Sequence, residues 1–145
     1  MFFLEGEAVA TIVVGYTSTP EGEAALGRAM EEAQLRGARL EVVHSRKEGA
    51  ARDAEDILRY NEAMEDISRR LAEANIENST HDFIQGHTPA EDIVDCARKT
   101  DAELIVIGLR HRTKTGKYVM GSVAQDVLLD APCPVLAVRA ADAPV

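Results

Sequence analysis

The chain has no tryptophan, and aromatic residues make up only 4% of it, so its core has to be built from aliphatic side chains and alanine. Cysteine is scarce too. Cys96 and Cys133 form no CxxC, and His44, His81, His87 and His111 show no metal-ligand spacing with one another or with the cysteines. The pattern reads as two reduced, buried thiols of a cytosolic protein. No apolar run approaches the roughly 20 residues of a membrane span. The opening MFFLEGEAVA lacks the basic start and long apolar run of a signal peptide, so a cytoplasmic location is expected. Basic residues are outnumbered, 16 against 25 acidic, and the formal charge of -9 speaks against nucleic acid or an anionic membrane as a partner.

What is present is a regular alternation of strand-like and helix-like runs. Residues 8–16, AVATIVVGY, form a continuous β-branched run of the kind buried on both faces of a sheet. Thr19 and Pro20 then start a helix whose apolar stripe is Leu26, Ala29, Met30 and Ala33, with Gly37 as its stop. A second strand covers 39–45. Residues 50–74 read as a long amphipathic helix with Ile57, Tyr60, Met64, Ile67, Leu71 and Ala74 on one side. A more polar third strand, THDFIQG at 80–86, belongs near a sheet edge. Thr88, Pro89 and Glu91 make a capping box for a third helix with Ile93, Val94 and Ala97 on its buried face. Strand 103–109, helix 121–131 and strand 134–140 complete the order.

Strand–helix alternation with apolar strands predicts a three-layer α/β/α fold, an open parallel five-stranded sheet with about four helices. With 145 residues and no evident linker or repeat, residues 1–145 read as one domain. In such sheets ligands bind beyond the carboxyl ends of the strands, where the winding reverses. The segments that reach this place are 16–19, Ser45 and its neighbours, 86–88 and 108–122.

The last of these, GLRHRTKTGKYVMGS, carries Arg110, Arg112, Lys114 and Lys117 and no acid, in an acidic chain. It is not a Walker A loop, because His111 stands where the first glycine is needed and Tyr118 where the magnesium-binding hydroxyl belongs. Nor is GYTSTPEG a dinucleotide fingerprint. The spacing does suit a phosphate site: Gly108 ends a strand, and Gly121–Ser122 open a helix whose N-terminus offers free N–H groups.

Here the sequence resembles the universal stress protein family, in VVGYTSTPEGEAAL, GHTPAEDIV, LIVIGLR and above all MGSVAQDVLLDAPCPVLAVR. The resemblance implies a Rossmann-like fold of the adenine nucleotide alpha hydrolase type. It also implies a stress-response regulatory module that binds ATP or another adenine nucleotide, with Mg2+ as a candidate companion of the phosphates. The family's Gly-x2-Gly-x9-Gly-Ser/Thr motif falls on Gly108, His111, Gly121 and Ser122, with His111 in place of the second glycine. The implied nucleotide site comprises Gly15, Tyr16, Thr17, Ser45, Gly108, Arg110, His111, Lys114, Lys117, Gly121, Ser122 and Val123. Thr17 stands where nucleotide-binding members carry an Asp, and Ser45 where an apolar residue packs on adenine. A homodimer through the last strand, from Pro134 to Ala140, is implied as well.

The alternatives are plainer. Ser122-x-x-Gln125 is also a capping box, so the Ser122 hydroxyl has a purely structural role open to it. The four cations of the loop equally suit a solvated surface. No Gly-x-Ser-x-Gly nucleophile motif occurs, which favours a binding module over an enzyme and leaves at most slow ATP hydrolysis or autophosphorylation. A nucleotide-independent homodimeric interaction module is the competing function.

Overall fold

The computed structural model describes residues 9–45, 54–82, 84–109 and 120–140. In chain order they form β1 (Thr11–Tyr16), α1 (Pro20–Arg36), β2 (Arg39–His44), α2 (Ala54–Glu73), β3 (Asn78–His81), α3 (Pro89–Thr100), β4 (Leu104–Leu109), α4 (Ser122–Asp130) and β5 (Val135–Arg139). The strands make one parallel sheet in the order β3-β2-β1-β4-β5. The strand order shows that the winding reverses between β1 and β4.

Alternate side chains of each strand enter one of two apolar layers. Ile12 and Val14 of β1 pack with Leu40, Val42 and Val106 against Leu26, Ala29 and Ala33 of α1 and Ile67 and Leu71 of α2. Val13, Val43, Ile105 and Ile107 face the other way, onto Ile93, Val94 and Ala97 of α3 and Ala124 and Val127 of α4. Among the described residues Tyr16 is the one aromatic side chain in these two layers.

Local signals set most boundaries. Thr19 caps α1 by accepting from Gly22 N–H at 3.1 Å, and Gly37 ends it in the left-handed conformation. Thr88 and Glu91 form the reciprocal capping box of α3.

Three expectations need correcting. The third strand is not 80–86 but Asn78–His81, because Leu40 to Val43 of β2 pair with those four residues. The chain has already turned by Ile84, whose carbonyl accepts from His87 N–H at 3.0 Å. The stripe of α2 is buried only at Ile67 and Leu71, while Ile57 is 44% exposed, so the apolar pattern runs past the part of the helix that is covered. The Ser122 capping box does not form. Gly121 is the N-cap, Ser122 is the first helical residue, and Gln125 Nε2 instead donates to the Met120 carbonyl at 3.3 Å. No helix among the described residues is long and apolar enough to cross a membrane.

Candidate functional site at the strand ends

The sheet is parallel, so β1, β2 and β4 all deliver their last residues to the same end. Tyr16 pairs with His44, and Val14 with Val106, which sets Tyr16 and Thr17 beside Ser45 on one side and Gly108 on the other. Ser45 N–H donates to the Tyr16 carbonyl at 2.9 Å and extends the β1–β2 ladder by one bond. Since β4 and β5 are parallel, α4 must run back between them, and its N-terminus lies at this end as well.

Two glycines let helices close on the switch point. A Cβ on Gly108 would run into the main-chain carbonyl of Glu21 in the first turn of α1. A Cβ on Gly15 would lie 2.6 Å from Cδ1 of Ile93 in α3. Gly108 therefore has a packing role whether or not a ligand approaches it. Gly15 yields more readily, because its neighbour is the tip of a side chain.

The polar groups here are unequal in their freedom. Tyr16 is 3% exposed, and its phenol donates to Glu23 Oε1 at 2.6 Å, while Arg70 holds the other oxygen of Glu23 at 3.1 Å. Burial first, and the Glu23 hydrogen bond second, push the Tyr16 phenol up to about 12. Its ring lies 5.4 Å from that of buried His44, which in turn meets Tyr60 edge-on at 4.4 Å. The Tyr16 side chain thus belongs to the buried layer beneath α1 and α2. Thr17 Oγ1 sits 2.8 Å from Thr19 Oγ1, so its hydroxyl is tied into the cap of α1.

The start of α4 differs from those of α1 and α3. Among the described residues no side chain caps it, and its first turn has no acid, whereas α1 carries Glu21 and Glu23 and α3 carries Glu91 and Asp92. The positive end of its dipole is left without a local carboxylate, and the first amides, including those of Ser122 and Val123, point along the axis without an intrahelical acceptor. These donors fit a phosphate group by their chemistry. Of the residues expected to form the site, Gly15, Tyr16, Thr17, Ser45, Gly108, Gly121, Ser122 and Val123 fall on this end of the fold. Arg110, His111, Lys114 and Lys117 lie outside the described residues. The cysteines take no part: Cys96 and Cys133 pack half-buried against the α3–α4 layer, and burial raises both thiols, Cys96 to about 11.

The pattern that defines the "Universal stress protein family" matches residues 9–139. The chain belongs to this family. A universal stress protein of Mycolicibacterium smegmatis is 38% identical over 128 residues, covering 88% of this chain and 96% of that protein. Among solved structures, the universal stress protein of Archaeoglobus fulgidus is 38% identical with a TM-score of 0.72, covering 89% of this chain and 97% of that one. The structure of the universal stress protein from that organism in complex with dAMP is 35% identical, with a TM-score of 0.67 and coverage of 90% and 98%. Within the universal stress protein frame, sequence reasoning missed one polar group at the strand ends. Asp92 is buried and bonded to His87, and the only signal for it was an acid one residue beyond the capping box.

Proposed function

We propose that this universal stress protein is a regulatory module that binds an adenine nucleotide across the carboxyl ends of its strands. The observation that carries the reading is the A. fulgidus relative, 35% identical over nearly the whole chain, in complex with dAMP. Among the described residues no side chain caps the start of α4 and its first turn holds no acid, which supports it from this chain's own residues. In this reading the phosphates sit on the amides of Gly121, Ser122 and Val123, next to Gly108. Arg110, His111, Lys114 and Lys117 supply charge-assisted contacts, and ATP brings Mg2+ with it. The nucleoside extends toward Gly15, Tyr16, Thr17 and Ser45. The module works as a cytoplasmic homodimer joined through β5, and nucleotide occupancy is its signal.

Equilibrium dialysis with AMP and with ATP, with and without magnesium, tests this. Saturable binding is expected, and Gly121→Asp should abolish it by setting a carboxylate where the phosphate belongs. No binding at millimolar nucleotide would sink the reading.

One observation favours the nucleotide-independent alternative. The Thr17 hydroxyl is engaged by Thr19, and it offers no carboxylate to a ribose. Mass spectrometry of the purified protein separates the two, since co-purifying nucleotide is expected only for the first. Any ATP hydrolysis would be slow, and loss of phosphate release in Ser122→Ala would tie it to this site.

A further inference from the structure

Asp92, in the first turn of α3, has a side chain only 5% exposed, and both of its oxygens are occupied. Oδ2 accepts from Ile84 N–H at 3.1 Å, and Oδ1 lies 3.0 Å from Nδ1 of His87. A carboxylate only accepts, so the proton of this bond is carried on Nδ1. The turn between the two residues is shaped for the contact. His87 N–H donates to the Ile84 carbonyl at 3.0 Å, and Gly86 takes φ 89°, a conformation that residues with a side chain rarely adopt.

The His87 side chain is 37% exposed. With Nδ1 turned inward onto Asp92, the exposed edge of the ring is the one that carries Nε2. A neutral imidazole fixed in this tautomer has a lone pair at Nε2 and no donor there. His87 stands two residues before Pro89, at the end of α3 that lies by the strand ends, and Ile93 one turn on packs against Gly15 of β1. The loop that bears it enters from β3, on the side of β1 opposite β4 and α4. In the reading proposed above, with the phosphates at α4 and the nucleoside running toward Tyr16 and Ser45, the nucleoside extends to this side of β1.

We propose that His87, oriented by Asp92, accepts a hydrogen bond from a donor group of the bound nucleoside, the exocyclic amine of the base or a ribose hydroxyl. The proposal rests on the nucleotide reading above and adds a specificity residue to it. It also answers the loss of a carboxylate at Thr17: the acceptor comes instead from a ring with a buried carboxylate behind it.

Calorimetric titration of the full chain with AMP, purine riboside 5′-monophosphate, 2′-deoxy-AMP and 3′-deoxy-AMP provides the test. His87→Ala should weaken AMP binding roughly 5- to 10-fold, the size of one neutral hydrogen bond. The penalty should vanish for the one analogue that lacks the donor, which names it. Asp92→Asn reverses the tautomer, because its carbonyl accepts from Ile84 N–H while its amide donates to Nδ1. It should cost at least as much affinity, with the 15N shifts of the His87 ring showing the proton moved to Nε2. The partly exposed His87→Ala change decides the matter by itself if Asp92→Asn does not fold. Equal weakening of all four ligands, or none, overturns the role of His87. Failure of the wild-type chain to bind AMP overturns the nucleotide reading and the proposal with it.

Discussion

The two edges of the sheet are built on opposite principles. β3 reads Asn-Ser-Thr-His and is set in a web of polar contacts, while β5 reads Val-Leu-Ala-Val-Arg with its four apolar residues only half-buried. Beside β3, Arg39 donates to Ser79 Oγ at 2.8 Å and pairs with the buried Glu41 at 3.4 Å, and His81 Nε2 lies 3.6 Å from the same carboxylate. A short edge with polar and charged side chains resists pairing with another chain, whereas an apolar edge invites it. One sheet thus has a closed border and an open one. The helices next to them repeat the contrast: α3, which follows β3, starts with a full capping box, and α4, which leads into β5, starts with none.

The largest expected effect comes from charging the open border. Val138→Lys, at a residue that also packs on the chain's own α1-side layer, should raise the dimer dissociation constant about 100-fold and lower the stability of the single chain, since burying an unpaired charge costs roughly 3 kcal/mol. Light scattering would then show the mass halved at micromolar concentration, while Thr80→Lys on the closed border leaves it unchanged. A wild-type chain that is already monomeric, or a Val138→Lys dimer, would refute the role given to β5.

The closed border is broken from within by Glu41→Leu. Removing a buried carboxylate that holds both Arg39 and His81 should cost about 2 kcal/mol in urea unfolding. An unchanged midpoint would mean that the polar web is dispensable.

The centre of the sheet sets the scale for both. Tyr16→Phe should cost about 1 kcal/mol near neutral pH, the net worth of the bond to Glu23. The Tyr16 phenol is raised in the fold from an ordinary 10 to about 12, so its contribution is complete below pH 10 and is lost as pH rises from 10 toward 12. Alkaline unfolding curves of wild type and Tyr16→Phe should converge across that window.

The smallest effects compare the helix starts. Thr88→Ala should lose about 1 kcal/mol of stability, and Ser122→Ala less than about 0.5, because only the former caps a helix. Equal losses in thermal melting would restore the Ser122 cap.

Much of this was legible in the residues. β-branched runs marked the strands, and Thr19–Pro20 and Thr88–Pro89–Glu91 marked two helix starts because each signal is local and complete. The polar character of β3 pointed to an edge, but its register did not, since register is fixed by Leu40 to Val43 across the ladder rather than by β3 itself. Ser122-x-x-Gln125 misled for a related reason. Two adjacent small residues, Gly121 and Ser122, can each stand at the cap, and the pattern does not say which one keeps an extended backbone. The stripe of α2 gave its apolar face but not how far the sheet reaches along it. In the site, the ends of β1 and β4 were legible as glycines. The His87–Asp92 pair was not, because an acid in the first turn of a helix already has a sufficient reason to be there in the dipole.

The start of α4, which no side chain among the described residues caps, also bears on how the chain meets ordinary solutes. In the proposed phosphate site the donors are backbone amides, which recognise the oxygens of an anion and nothing else of the molecule. Sulfate and inorganic phosphate carry the same oxygen geometry as a nucleotide's terminal group and compete for the same donors. Apparent nucleotide affinity should therefore fall in phosphate or sulfate buffers and recover in chloride of equal ionic strength, so the salt chosen for a titration becomes a variable of the binding site itself.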